Sequence, residues 1–169
     1  FALERHGSWS ALPFRPVFDF SYDGIMRSFE ASLQRLGLER IDIVLLHDIG
    51  RFSQRDQHAA RWAEVTTGGG IRALEELRRS GVVRAIGAGV NEGEVLLDLL
   101  DEAHFDVFLL ANRYTLLDQK VVGTLLPRCE NAGIGIVIGA PFNSGILLTG
   151  AVQGASFDYA PAGPEILDK

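Results

Sequence analysis

Four stretches of the chain are almost wholly apolar, and each breaks off into polar side chains. Ile41 to Leu46 runs into His47 and Asp48, Val83 to Gly89 into Val90 and Asn91, Phe105 to Ala111 into Asn112, Arg113 and Tyr114, and Ile134 to Gly139 into Ala140, Pro141, Phe142, Asn143, Ser144 and Gly145. Runs this short and this apolar fit strands buried on both faces of a parallel sheet. Gly87 and Gly89 stand out in the second run, because glycine forfeits packing in a strand. The pair implies close approach by a ligand or by neighbouring backbone, or else a local bend.

Between these runs the apolar spacing changes to that of helices. Ile25, Phe29, Leu33 and Leu36 form a stripe that Ser21 or Asp23 can cap and that Gly37 ends as a left-handed terminator. Further helices are predicted from Ile71 to Arg79, from Glu92 to Glu102 and from Gln119 to Asn131, with Gly81 and Gly133 behind the first and third. Residues 1–22 read as a long entry loop. Ile49 to Gly70 reads as a long polar loop after the first strand, with a short helix over 57–65, and 151–169 as a loop or an incomplete next unit. The alternation predicts one α/β domain over 1–169 built from right-handed βαβ units. No Gly-x-Gly-x-x-Gly joins a strand to a helix, which disfavours a doubly wound nucleotide domain and favours a parallel (β/α)8 barrel of TIM type. Such a barrel takes roughly 250 residues, so these 169 residues hold about half of one. Half a barrel has two open strand edges, which either the remainder of the barrel or a second copy in a homo-oligomer must cover.

Composition narrows the partners. With 47% hydrophobic and 22% charged residues the chain is an ordinary globular sequence, not a disordered or collagen-like one. A net charge of -6 argues against a nucleic-acid surface and leaves a small molecule as the expected partner. No apolar run reaches the length of a membrane span and no signal-peptide pattern precedes the strands. Cys129 is the single cysteine and reads as a buried hydrophobe, so nothing indicates an oxidising compartment, and a cytoplasmic location is expected. The chain opens on Phe1 without an initiator methionine, the start expected of a fragment or a processed chain.

For chemistry, a histidine at the carboxyl end of a barrel strand is the first candidate, since imidazole can polarise a carbonyl or move a proton near neutral pH. His47 holds that place. Its bland alternative is a strand-end histidine bonded to a backbone carbonyl. Asp48 falls on the opposite face if the strand continues, which makes it a helix cap or loop anchor. His47, Asp48, Asp56 and His58 are metal-ligand types, but they lack the fixed helical spacing of a zinc motif, so no metal is expected. Arg51 and Trp62 in the long loop are candidate substrate contacts, Trp62 as a lid or stacking ring or as simple packing on the rim. The loop of Pro141, Phe142, Asn143, Ser144 and Gly145 could wrap an anion with backbone donors.

Taken together, three stretches resemble the aldo-keto reductase superfamily: Ser32 to Asp42 leading into Leu45-Leu46-His47, then Gly81 to Gly87, then the strand ending in Ala140-Pro141. Phe20-Ser21-Tyr22-Asp23-Gly24, Asn112 to Gln119 and Asn143 to Leu147 are similar to the branch of L-fucose- or D-galactose-type aldose 1-dehydrogenases and pyridoxal 4-dehydrogenase. The resemblance implies NAD or NADP lying across the strand ends and hydride transfer between nicotinamide and a sugar or aldehyde substrate. An aldose oxidised at C1 to its lactone is the first expectation, and pyridoxal or a general aldehyde the second. A non-catalytic NAD(P)-binding regulatory barrel is the rival of another class. By the same resemblance His47 orients the reacting oxygen, Asn91 binds the nicotinamide carboxamide and Asn112 substitutes for a glutamine. Ala140, Pro141, Phe142, Ser144, Gly145 and Leu147 match the pyrophosphate-side loop. The family's Asp, Tyr and Lys find no match in this stretch, and the part that would read the adenine ribose lies beyond Lys169.

Overall fold

The structure, a computed structural model, describes residues 17–169, so the first sixteen residues of the expected entry loop lie outside the described residues. It opens with helix α1 (Tyr22–Leu36). Ser21 caps it by accepting the Gly24 N–H at 3.2 Å, and Asp19 fixes that cap by accepting from the Ser21 hydroxyl at 2.6 Å. The helix stops where the stripe of Ile25, Phe29 and Leu33 ends. Gly37 adopts φ 65 and returns its N–H to the Leu33 carbonyl, a conformation that costs a side chain about 1 kcal/mol.

Four parallel strands follow, β1 (Ile43–His47), β2 (Ala85–Val90), β3 (Val107–Ala111) and β4 (Gly135–Gly139), paired in chain order. The segment from β1 to β2 carries α2 (Arg51–Gln54), α3 (His58–Val65) and α4 (Gly70–Arg79), and α5 (Gly93–Glu102) joins β2 to β3. Between β3 and β4 runs α6 (Leu125–Ala132). The short helix expected over 57–65 is α3, and the difference from the expectation is α2 with the 3-10 turn that follows it over Arg55–Gln57. The single helix expected over 119–131 is also broken: a 3-10 turn over Lys120–Gly123 precedes α6, which takes Pro127 in its first turn, where a missing N–H costs nothing.

The strand alternation sorts the sheet into two faces. Leu46, Ile86, Ala88, Val90, Phe108 and Leu110 are buried against the helices, meeting Leu74, Leu77, Val95, Leu96, Leu99, Leu125 and Cys129 in one core. The other face carries Ile43, Leu45, His47, Gly87, Gly89, Leu109 and Val137. There Ile43 and Val137 are 52% and 51% exposed. Burial on both faces, expected for all four strands, thus fails at the outer two, because among the described residues no second layer packs on this face of the four-stranded sheet. Asp106 ties the start of β3 to β2 and α4, accepting from the Ile86 N–H at 2.9 Å and from Arg78 at 2.8 Å. Burial pushes its pKa up, but those two donors outweigh it and hold the carboxyl below its ordinary value.

After β4 come α7 (Ile146–Thr149), a two-stranded hairpin of β5 (Ser156–Phe157) and β6 (Ala160–Pro161), and α8 (Pro164–Leu167). The tail, expected as a loop or an incomplete next unit, carries this short hairpin and helix, and the hairpin tip reaches back to the strand ends. Among the described residues no helix is long and apolar enough to cross a membrane.

Candidate active site

Parallel pairing brings the four carboxyl ends to one rim. At the first of them His47 pairs in register with Gly89 and presents a side chain that is 81% exposed. Asp48 adopts φ 55, donates its N–H to the Gly89 carbonyl at 2.9 Å and has its own carbonyl held by Gln54 Nε2 at 2.8 Å. This left-handed turn ends the strand's alternation. The Asp48 carboxylate consequently lies 3.7 Å from His47 Nε2, on the histidine's side rather than opposite it, and no helix takes it as a cap. An expectation based on continued pleating is corrected by one residue of positive φ.

At the next two strand ends the amides of Asn91 and Asn112 meet. Asn112 Nδ2 donates to Asn91 Oδ1 at 3.4 Å and to the Tyr159 hydroxyl at 3.4 Å, and that hydroxyl donates to Asn91 Oδ1 at 3.4 Å. Asn112 is fully buried at φ 64, and Asn143, fully buried at φ 47, donates from Nδ2 to the Asn112 carbonyl at 2.9 Å. Asparagine is the side-chain-bearing residue best suited to that backbone region, which accounts for its use at both points. Asn112 Oδ1 and Asn143 Oδ1 are buried with no hydrogen-bond partner among the described residues.

Arg113 is a part of this site that the sequence reading did not single out. Its Nε donates to the Asn91 carbonyl at 2.7 Å, and its guanidinium pairs with Asp158 at 2.8 Å and Asp118 at 3.7 Å. It fastens the end of β2 to the tip of the β5–β6 hairpin. The available signal was an arginine directly after a strand-end asparagine, with Asp118 a few residues on.

The loop after β4 is wound tightly. Ala140, Asn143 and Ser144 have φ of 46, 47 and 59. The N–H groups of Asn143, Gly145 and Leu147 already donate to the Ala140 and Phe142 carbonyls, and the Ser144 hydroxyl accepts the Tyr159 N–H at 3.0 Å. Two of the four backbone donors expected to wrap an anion, those of Asn143 and Gly145, are therefore engaged within the protein. Pro141, Phe142 and Leu147 instead line a groove of about 410 Å³ with Tyr114, Thr115, Leu116 and Gln119.

Arg51 and Trp62 are placed away from this rim. They line a pocket of about 240 Å³ with His58, Asp98, Asp101 and Glu102, and Arg51 pairs with Asp98 at 3.6 Å. The Trp62 ring packs 5.9 Å from the His58 ring, whose Nδ1 is hydrogen-bonded to the Ile49 carbonyl at 3.0 Å. The structure brings these two next to α5, not to His47. Among the described residues no group of three or more His, Cys, Asp or Glu could hold a metal ion.

The Aldo/keto reductase family model matches residues 15–163, nearly the whole chain. The chain belongs to the aldo/keto reductase family. A pyridoxal 4-dehydrogenase of Microbacterium luteolum is 48% identical over 161 residues, covering 95% of this chain and 47% of that protein. A D-threo-aldose 1-dehydrogenase of a Pseudomonas species is 35% identical over 156 residues, covering 92% and 45%. The chain thus spans about half the length of the curated relatives it matches. Among solved structures, an aldo-keto reductase of Bacillus halodurans in its holo form superposes with a TM-score of 0.56 at 23% identity, covering 83% of this chain and 42% of that one. An aldo-keto reductase of Bombyx mori in complex with NADP gives a TM-score of 0.52 at 19% identity, covering 74% and 39%. These likenesses establish the fold: the four parallel strands are part of an aldo/keto reductase barrel. In this aldo/keto reductase the rim occupied by His47, Asn91 and Asn112 lies at the carboxyl ends of the strands, the end at which barrel enzymes carry their active sites.

Proposed function

We propose that the protein is an NAD(P)-dependent oxidoreductase that transfers a hydride between nicotinamide and the hemiacetal carbon of a small polyhydroxy or aromatic aldehyde. What supports this most is the meeting of His47, Asn91 and Asn112 at adjacent strand ends, with one amide acceptor buried and unsatisfied. A primary carboxamide is both donor and acceptor. Asn91 Nδ2 is available to donate, and Asn112 Oδ1 lacks a donor among the described residues, so the pair complements such a group. The residues present fit a nicotinamide on this test.

When bound, the cofactor supplies the two-electron acceptor or donor. The remaining work falls to this chain's side chains. In the oxidative direction the hemiacetal carbon would give up its hydrogen with both electrons to the nicotinamide, its hydroxyl proton would pass to water, and a lactone carbonyl would form. His47, exposed at the rim, would hold that oxygen by a hydrogen bond as charge develops on it, an effect worth about 3 kcal/mol where such donors have been removed. Asn91 and Asn112 would set which face of the ring is presented. Pro141, Phe142 and Leu147 would border the remainder of the cofactor through the apolar groove.

Pyridoxal and an aldose share this chemistry, since pyridoxal closes on its neighbouring hydroxymethyl group to a cyclic hemiacetal. The greater identity to a pyridoxal 4-dehydrogenase places pyridoxal first in the test, with L-fucose and D-galactose beside it. Formation of reduced cofactor by the complete protein with one of these supports the reading. Cofactor binding with no turnover of any aldehyde or sugar would favour a non-catalytic, cofactor-binding barrel.

A further inference from the structure

The Asp158–Tyr159 turn is unusual in sequence and in placement. It is the two-residue tip of the β5–β6 hairpin, with both residues at positive φ, 49 and 65. Tight hairpins of this kind favour Asn-Gly or Asp-Gly, and a tyrosine there is sterically costly. Such a conformation persists only where surrounding contacts enforce it. Here they come from three separate elements. Asp158 pairs with Arg113 at 2.8 Å, the Tyr159 N–H donates to Ser144 Oγ at 3.0 Å, and the Tyr159 hydroxyl lies 3.4 Å from both Asn91 Oδ1 and Asn112 Nδ2. Tyr159 is 68% exposed, so apolar burial does not account for its position.

From this geometry we infer that Tyr159 is a positioning residue that fixes the orientation of the two rim amides. Asparagine amides can flip, and a flip exchanges donor for acceptor. The three-membered ring of hydrogen bonds couples the two amides, since a turn of one alone sets donor against donor or acceptor against acceptor. Asn112 Nδ2 uses both its hydrogens, on Asn91 Oδ1 and on the phenol, and Asn91 Oδ1 accepts from both partners. That assignment leaves Asn91 Nδ2 without an acceptor among the described residues and Asn112 Oδ1 as a buried acceptor without a donor, a polarity that a carboxamide matches and a group without N–H does not. Without the phenol that coupling rests on the single contact of Asn112 Nδ2 with Asn91 Oδ1, and the polarity of the rim is held less firmly. The inference rests on the nicotinamide reading above, and its test separates the two.

The test compares, for the complete protein, the dissociation constants of NAD(P) and of its 3-acetylpyridine analogue, in which a methyl replaces the carboxamide nitrogen. Wild type should prefer NAD(P) by roughly 10-fold, as expected for one hydrogen bond of about 1.4 kcal/mol. Tyr159→Phe keeps the ring and the turn, and should bring the ratio below about 3-fold, chiefly by weakening NAD(P). Asp158→Asn, which loosens the hairpin tip from Arg113, should move the ratio the same way by less. An unchanged ratio in Tyr159→Phe overturns the positioning role while leaving the nicotinamide reading intact. A wild-type protein that binds neither dinucleotide, or binds both equally, overturns both.

Discussion

Gly87 and Gly89 lie two residues apart on the same face of β2, and the structure assigns them opposite tolerances. A Cβ on Gly87 would collide with the Val107 carbonyl oxygen, with the Val107 carbonyl carbon at 2.8 Å and with Leu45 Cδ2 at 2.9 Å. The main obstacle is backbone of the paired strand, so no rotamer change relieves it, and Gly87→Ala must part β2 from β3 where Gly87 pairs with Val107. Overpacking of this kind costs about 1–3 kcal/mol. Weakening one or two ladder hydrogen bonds adds about 1 kcal/mol each, for a total near 4 kcal/mol. A Cβ on Gly89 meets only Leu109 Cβ at 3.7 Å and Leu45 Cδ1 at 3.8 Å, ordinary contact. Gly89→Ala should therefore be neutral or stabilising by about 0.5 kcal/mol through the entropy of the unfolded chain. Urea unfolding of the complete protein reads both. The first substitution should lower the unfolding free energy by about 4 kcal/mol, with a matching fall in the urea midpoint, and the second should not lower it. Equal losses, or a tolerated Gly87→Ala, would refute the reasoning that backbone approach explains one glycine and open space the other.

Asp106→Asn should destabilise by about 2 kcal/mol, part of a charged hydrogen-bond pair being exposed, and chemical denaturation would show it. The native state holds the Asp106 carboxyl below its ordinary value, so its contribution is complete above that value and disappears as pH falls through the lowered one. An acid-limb stability profile of wild type should accordingly fall more steeply than that of Asp106→Asn. Asn143→Ala removes the buried donor to the Asn112 carbonyl and should cost about 2 kcal/mol while raising the KM for cofactor more than it lowers kcat, in steady-state kinetics. Cys129 lies buried, which raises its thiol pKa, so it should react with a thiol reagent only at the rate of unfolding in a labelling time course.

The strands and helices were readable because short aliphatic runs and helical stripes report burial directly. Ser21 and Gly37 marked the ends of α1, and His47, Asn91 and Asn112 stood where strands end. Asp48 was misplaced because alternation assumes extended backbone, and its φ of 55 is set by the Gln54 and Gly89 contacts rather than by its own identity. Arg113 and Tyr159 escaped notice because their roles depend on a hairpin tip arriving from 68 residues beyond Asn91, and Asp-Tyr is not a turn sequence that announces itself. Arg51 and Trp62 follow β1 closely, but the helices α2 and α3 carry them outward to α5, where sequence proximity to His47 no longer implies contact.

On the proposed function, separate strand ends serve one reaction, the imidazole acting on the substrate oxygen and the amides on the cofactor. Steady-state kinetics and cofactor titration of His47→Ala and Asn112→Ala in the complete protein test it together. His47→Ala is expected to lower kcat by about 100-fold or more with cofactor affinity unchanged, and Asn112→Ala to weaken cofactor binding several-fold. Full turnover in His47→Ala, or cofactor affinity indifferent to Asn112, would contradict it.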